Sequence, residues 1–236
     1  LRSIYNRGVD MHQAPYVHGL FRDVFTGVDT RQKKAIPIGE LHMLLNKDPQ
    51  SEKLRRTQAI ANLLFQFCGM PFSDLAHLEK SNLERGLLKY NRTKTGTPMS
   101  IEVLESAQNA IGGLYNKSDA RSSGYPDYLF RILSGAYKRN EEGAYREYQS
   151  ALRRFNNELK SLSRKLRLHS PVTSYTLRHS WATTAKYRGV PIEMISESLG
   201  HKSIKTTQIY LKGFELEERT KVNKLNYSYV CNFKML

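Results

Sequence analysis

Cysteine is scarce in this chain of 236 residues: Cys68 and Cys231 are the two present, too few for a disulfide framework or a cysteine metal site. Long apolar runs are missing as well. The longest, Ala59 to Phe72, is interrupted by Asn62 and Gln66 and falls short of the ~20 residues that a membrane span needs. No secretory pattern opens the chain, so the reading is a cytoplasmic protein without a membrane partner. Acidic charge is short too, with 22 Asp and Glu against 37 Lys and Arg, and no carboxylate cluster is suited to hold a metal. These absences argue against a secreted disulfide scaffold, a membrane protein and an acid-rich metal enzyme.

The surplus is positive: a formal net charge of +15 and a pI near 9.8. Such a balance favours polyanions, with nucleic acid ahead of an anionic membrane surface, and a merely well-solvated basic surface as the plain alternative. The length allows one sizeable core, or one core with a small appendage.

Leu1 to Val9 reads as the tail of a helix, as the start of a fragment of something longer would. Asp10 to Lys34, with Pro15, Gly19 and Gly27, reads as a linker. A short helix is expected after Pro37. From Ser51, an N-cap type, apolar residues fall at Leu54, Ile60, Leu63, Leu64 and Phe67, which predicts a helix with one buried face, ended by Gly69 and Pro71. Leu87 to Val103 predicts two strands joined by a basic hairpin, Arg92-Thr93-Lys94-Thr95-Gly96-Thr97-Pro98. Gly112 to Pro126 reads as loop. A long helix is then marked by Tyr148, Leu152, Phe155, Leu159, Leu162 and Leu166, read as core and not coiled coil.

Three short helices should follow Pro171. Thr173 or Ser174 caps the first, Pro191 sits in the first turn of the second with Gly200 closing it, and Ser203 caps a third that runs towards Tyr210 and stops at Gly213. The expected fold is mainly α with a small antiparallel β-sheet, one compact α+β domain with tails at both ends.

The last third gathers groups suited to a phosphate: Arg178, His179, His201, Lys202, Lys205 and Tyr210. Singly, each is weak, since a tyrosine or histidine is more often a packing residue. Their order is more specific. Thr-Leu-Arg178-His179-Ser is followed by Ser-Leu-Gly200-His201-Lys-Ser and then by Thr-Thr-Gln-Ile-Tyr210, with 23 residues from Arg178 to His201 and nine from His201 to Tyr210. Here the chain resembles the tyrosine recombinase, or phage integrase, family. Upstream, Lys94 in the Thr-Lys-Thr-Gly turn resembles that family's catalytic lysine, and Gly69-Met70-Pro71-Phe72-Ser73-Asp74-Leu75 resembles its first box, with Asp74 at the acidic position.

The resemblance implies a tyrosine recombinase catalytic-domain-like fold and the chemistry of a mobile-element integrase. Tyr210 would attack a backbone phosphate, leaving a 3′-phosphotyrosyl link, with no metal and no cofactor. A phosphodiester gains charge on the way to its transition state, so cations and donors must face its oxygens. Arg178 offers a planar fork, His201 a further donor, and Lys94 a proton for the departing 5′ oxygen. A free phenol is only about one part in a thousand ionised at neutral pH, so a cationic site helps Tyr210. Asp74, His179 and Tyr175 read as supporting groups, with Asp74 orienting Arg178, His179 or Lys94; Arg92, Lys202 and Lys205 read as DNA-binding.

Two positions depart from the family pattern. Pro71 stands where the first arginine belongs, and Tyr175 stands where a His or Lys is usual. Arg92, Lys80 and Arg55 are nearby cations that could replace the missing arginine. The expected organisation is residues 1–33 as the end of an N-terminal core-binding domain and linker, 34–221 as the catalytic domain, and 222–236 as a C-terminal tail that docks on a partner or on its own domain. Expected partners are double-stranded DNA at specific recombination sites and further copies of the chain in a homo-tetramer. The alternatives are a catalytically degenerate homologue acting as a DNA-binding module, a topoisomerase with the same chemistry, and a helix-turn-helix module over Pro191 to Lys212.

Overall fold

The computed structural model describes residues 1–22, 35–117, 124–211, 220 and 223–228, without the side chains of Ile209 and Tyr210. The chain divides into two units, Leu1–Gln32 and Lys33–Leu236. In the first, helix α1 (Arg2–Asp10) is followed by a turn held by Tyr5. The Tyr5 hydroxyl donates to the Pro15 carbonyl and accepts from the Val17 amide, both at 2.8 Å, while its ring meets Phe21 edge-on.

The second unit is mainly helical with a three-stranded antiparallel sheet, in the order β1 (Leu83–Glu84), β2 (Leu87–Asn91), β3 (Pro98–Glu102). Leu88 pairs with Ile101 and Asn91 with Pro98, so the hairpin tip is the basic segment that the alternation predicts. Helices α2 (Ile38–Asn46) and α3 (Glu52–Gln66) lie where expected. Ile60, Leu63, Leu64 and Phe67 are buried on α3, as its apolar spacing requires.

A short α4 (Phe72–Ala76) leads to the sheet, and α5 (Glu105–Leu114) follows it. The segment read as loop from Gly112 on is therefore partly helix: Ala107, Ile111 and Leu114 are buried against α3, and the two glycines Gly112 and Gly113 fall inside the last turn. Burial of that apolar stripe outweighs the roughly 1 kcal/mol that each glycine costs.

Helix α6 (Glu142–Lys165) buries Phe155, Leu159 and Leu162, with Leu166 just beyond its end, and Phe72 stacks on Phe155 at 4.8 Å. Helix α7 (Ser174–Tyr187) continues the same core through Leu177. A second, smaller cluster of Ala182, Ile195 and Leu199, with Trp181 packed on it, joins α7 to α8 (Ile192–Ser198) and the turn after it. Pro191 is the residue before α8, one place earlier than its expected first-turn position, and Gly200 ends the helix with φ +64. Helix α9 (Ile204–Tyr210) packs against α8. Gly213, expected to stop α9, and most of the tail from Val222 lie outside the described residues; residues 223–228 are helical. Among the described residues no helix is long and apolar enough to cross a membrane.

The caps differ in strength. Thr173 accepts from the Thr176 amide at 3.2 Å while the Thr176 hydroxyl accepts from the Thr173 amide at 2.9 Å, a reciprocal box that starts α7. Ser51 and Ser203 occupy N-cap positions without a side-chain bond. Thr173→Ala should therefore lower the unfolding free energy by about 1 kcal/mol in urea titration, and Ser51→Ala by clearly less.

Candidate active site

The site is built around the turn Leu199–Gly200 between α8 and α9. Gly200 takes a positive φ, and a Cβ there would lie 2.8 Å from the Met99 sulfur and 3.0 Å from Arg92 Cδ. A residue with a side chain would therefore be strained and would press on the hairpin. That close approach leaves the two carbonyls of the turn facing α7 on one side and the β2–β3 hairpin on the other.

Arg178, on α7 and only 5% exposed, donates from Nη1 to the Gly69 carbonyl at 2.9 Å and from Nη2 to the Leu199 carbonyl at 2.6 Å. Gly69 ends the turn after α3, with φ +64, and a Cβ on it would meet the Arg178 Cα at 3.2 Å. The glycine therefore lets the α3 turn come close enough to grip the guanidinium.

Arg92 reaches the same turn from the hairpin. It is 7% exposed, donates from Nε to Asp74 Oδ2 at 2.8 Å, and donates from Nη1 to the Leu199 carbonyl, with Gly200 O at 3.5 Å. Two guanidiniums thus share one carbonyl oxygen. Asp74, itself buried on α4, also accepts the Thr93 amide at 3.2 Å. The expectation that Asp74 orients Arg178, His179 or Lys94 directly is corrected: its oxygens are taken by Arg92, Thr93 and the Ser73 hydroxyl. Its hold on the Thr93 amide bears on the hairpin that carries Lys94.

His201 follows Gly200. Its Nε2 lies 3.2 Å from Arg178 Nη2 and its Nδ1 lies 2.9 Å from the Thr207 hydroxyl on α9. Burial, and then the charges of Arg178, Arg92 and Lys94, push its pKa down to about 4, so the ring is neutral at pH 7. Burial also pushes the Tyr90 phenol, beside both arginines, and the Cys68 thiol, near Arg178, up, so both remain protonated at pH 7.

The other expected groups fall as follows. Lys94 is exposed on the hairpin tip, whose Thr95 and Thr97 hydroxyls reach Gly200 O at 3.4 and 3.3 Å. Lys202 and Lys205 are exposed beside the site, whereas Arg92 is buried inside it and is no surface contact. His179 is buried, and the exposed Tyr175 packs edge-on to it at 4.7 Å. Of the cations considered for the place of Pro71, Arg55 pairs with Asp48 at 3.0 Å and Lys80 with Asp127 at 2.9 Å; Arg92 is the one beside Arg178. Pro71 itself precedes α4 as its N-cap residue. Tyr210 is the last residue of α9, and its side chain lies outside the described residues.

Three features were not singled out in the sequence: the carbonyls of Gly69 and Leu199, and the hydroxyl of Thr207. A carbonyl carries no residue-type signal, although a glycine flanking a motif residue hints at a close turn. Chemically, two buried guanidiniums face a single buried carboxylate among the described residues, next to a neutral imidazole and an exposed lysine. This arrangement suits an oxyanion.

Asp74→Ala would leave Arg92 as a buried unpaired charge and should lower the unfolding free energy by about 3–5 kcal/mol; the double variant Asp74→Ala with Arg92→Met should recover much of that loss in the same denaturant titration. A second expectation concerns pH. Above the usual histidine value of 6.5 the His201 ring is neutral whether the chain is folded or not. Below it the unfolded chain takes up a proton that the folded site refuses until about pH 4. Stability should therefore fall as pH drops through that window, and His201→Gln should lose this component when the two proteins are compared by urea titration.

Residues 38–216 match the model of the phage integrase family. The chain is 28% identical over 204 residues to a probable integrase/recombinase protein of Methanocaldococcus jannaschii, covering 84% of this chain and 58% of that protein. It is 30% identical over 190 residues to the tyrosine recombinase XerD of Halalkalibacterium halodurans, covering 76% of this chain and 57% of XerD. It thus spans less than two thirds of the length of these curated relatives. Among solved structures, XerA recombinase superposes with a TM-score of 0.57 at 20% identity, over 100% of this chain and 74% of XerA. The Tn1549 transposon integrase, in complex with a circular intermediate DNA, gives 0.58 at 16%, over 94% and 77% of the two chains. At these identities the structural likeness speaks for the fold, while the family match covers the first box, the hairpin, both arginines, His201 and Tyr210. The chain belongs to the phage integrase family, the tyrosine recombinases, and carries the fold of their catalytic domain.

Proposed function

We propose that this protein is a site-specific DNA recombinase or integrase that cuts and rejoins DNA through Tyr210, with Arg92 in the role of the arginine that Pro71 cannot fill. The observation that carries the reading is the shared Leu199 carbonyl, which holds Arg178 and Arg92 side by side at the residue pair preceding His201. A second guanidinium therefore stands in the site although the first box lacks one.

In this mechanism a non-bridging pair of phosphate oxygens lies against Arg178 and Arg92. His201 donates a further hydrogen bond. The Tyr210 oxygen attacks phosphorus and loses its proton to solvent water, the bond to the 5′ oxygen breaks, and Lys94 gives that oxygen a proton. A 3′-phosphotyrosine results, and a 5′ hydroxyl from the second duplex reverses the step, so no energy source is needed. Asp74 holds Arg92 and the hairpin; Lys202 and Lys205 contact backbone phosphates nearby. The substrate is double-stranded DNA at specific sites, which places the protein in the cytoplasm. The Tn1549 integrase is solved with DNA and lambda integrase as a tetramer bound to a Holliday junction. This supports a homo-tetramer on DNA for the present protein, with residues 1–33 ending a core-binding domain and linker, 34–221 forming the catalytic domain and 222–236 a docking tail.

A second reading, a degenerate homologue that binds DNA without cutting it, is favoured by Pro71 and by the exposed phenol of Tyr175. The two are separated by trapping the intermediate. The protein is incubated with a nicked duplex that carries a candidate recombination site, labelled at the 5′ end of the strand to be cut so that the label remains on the adduct. A denaturing gel should give a shifted band for wild type and none for Tyr210→Phe. Arg92→Ala and Arg178→Ala should each slow its appearance by about 10²–10³-fold. Tight binding without any band for wild type would establish the degenerate reading, and an unchanged rate for Arg92→Ala would remove Arg92 from the site.

A further inference from the structure

The contact between His201 and Thr207 has a consequence for where the proton on His201 sits. The ring is neutral at pH 7, because burial and the nearby Arg178, Arg92 and Lys94 oppose a further positive charge. A neutral imidazole holds one proton on one of its two nitrogens. Nε2 faces Arg178 Nη2 at 3.2 Å, and a guanidinium has only donors, so Nε2 must accept. The proton therefore resides on Nδ1, pointing at Thr207 Oγ1 2.9 Å away. This is the wrong tautomer for the work that the proposed function assigns to His201. To donate to a phosphate oxygen, the ring needs its proton on Nε2, and Nδ1 must then find a donor.

A hydroxyl can meet both demands, since it accepts in one state and donates in the other. A carbonyl could only accept, and an amide N–H could only donate. Thr207 is fully buried on the helix that ends at Tyr210, so no bulk water competes for its hydroxyl. We propose that Thr207 is a positioning residue that sets the tautomer of His201: its hydroxyl accepts from Nδ1–H in the ligand-free site and donates to Nδ1 when an oxyanion draws the proton to Nε2. Seating of α9, the helix of the nucleophile, is thereby tied to the protonation pattern of the phosphate pocket. A misplaced α9 removes the donor that His201 needs, so the pocket is competent for a phosphate when the nucleophile's helix is docked. The assignment rests on the recombinase reading for its purpose, but its physical content is an oxyanion-linked tautomer change.

The test is nitrogen NMR of ¹⁵N-histidine-labelled protein, in which the two ring nitrogens distinguish protonated from unprotonated states. His201→Gln identifies the ring among the seven histidines. Spectra are recorded without ligand and with inorganic phosphate as the probe, for wild type, Thr207→Ser and Thr207→Val. Val keeps the shape of Thr and removes the hydroxyl, and thermal unfolding checks that each variant is folded. Wild type and Thr207→Ser should carry the proton on Nδ1 when free and on Nε2 with phosphate, whereas Thr207→Val should fail to make the change. In the adduct assay, Thr207→Val should lose about 10-fold or more in cleavage rate with its DNA affinity unchanged, and Thr207→Ser should recover most of the rate. Three results would overturn the proposal: a phosphate-bound Nε2–H in Thr207→Val as in wild type, both nitrogens protonated in the bound wild type, or no change in wild type on adding phosphate. If the tautomer change is found but wild type forms no covalent adduct, the recombinase reading fails and Thr207 retains its role at an anion site.

Discussion

The carbonyl oxygen of Leu199 accepts hydrogen bonds from Arg178 and Arg92 together, and much of the domain is arranged so that it can. Two cations converging on one acceptor repel each other, and both are nearly out of water, where an unpaired charge is costly. The arrangement holds because each guanidinium is gripped from a second side, Arg178 by the Gly69 carbonyl and Arg92 by Asp74. The grips come from three places, the α3 turn, α4 and the α8 turn, while the two arginines themselves sit on α7 and the hairpin. The core behind them, from Leu63 to Leu177, keeps those segments in register.

Two guanidiniums meet in the site although the segment before α4 supplies neither. Pro71 removes a side-chain donor from the start of α4, where its fixed φ suits the residue before a helix. The second guanidinium beside Arg178 is that of Arg92 on the hairpin, and Asp74, three residues after Pro71, is its anchor. What matters to a phosphate is where a planar cation ends, not which backbone position it starts from. Arg92 and Lys94 sit two residues apart on one hairpin, so the same tip carries both a buried cation and an exposed lysine.

The helices were largely legible. The stripes on α3 and α6 recur at helical spacing, and the hairpin is bounded by a basic turn with glycine, because burial of one face imposes a period on the sequence. Helix α5 was not legible, since Gly112 and Gly113 carry a local preference for turns that packing on α3 overrides. The two-residue strand β1 was likewise missed, being too short to show alternation. Arg178 and His201, which the structure brings together, could be read off as part of a spaced set with Lys94 and Tyr210, because residue type and separation carry the resemblance. The partner of Asp74 could not be read.

By itself, then, the sequence determined the basic character, the mainly helical fold with its small sheet, the family and the order and spacing of the motif side chains. These follow from composition, periodicity and fixed spacing, which are properties of the chain as a string. The tertiary structure decided that Arg92, and not Lys80 or Arg55, stands beside Arg178, that Asp74 serves Arg92, and that His201 leans on Thr207. Those choices depend on distances between segments far apart in the chain and on backbone carbonyls that every residue possesses. No pattern of side chains along the string encodes them, because hydrogen bonding and burial are settled only when the segments meet.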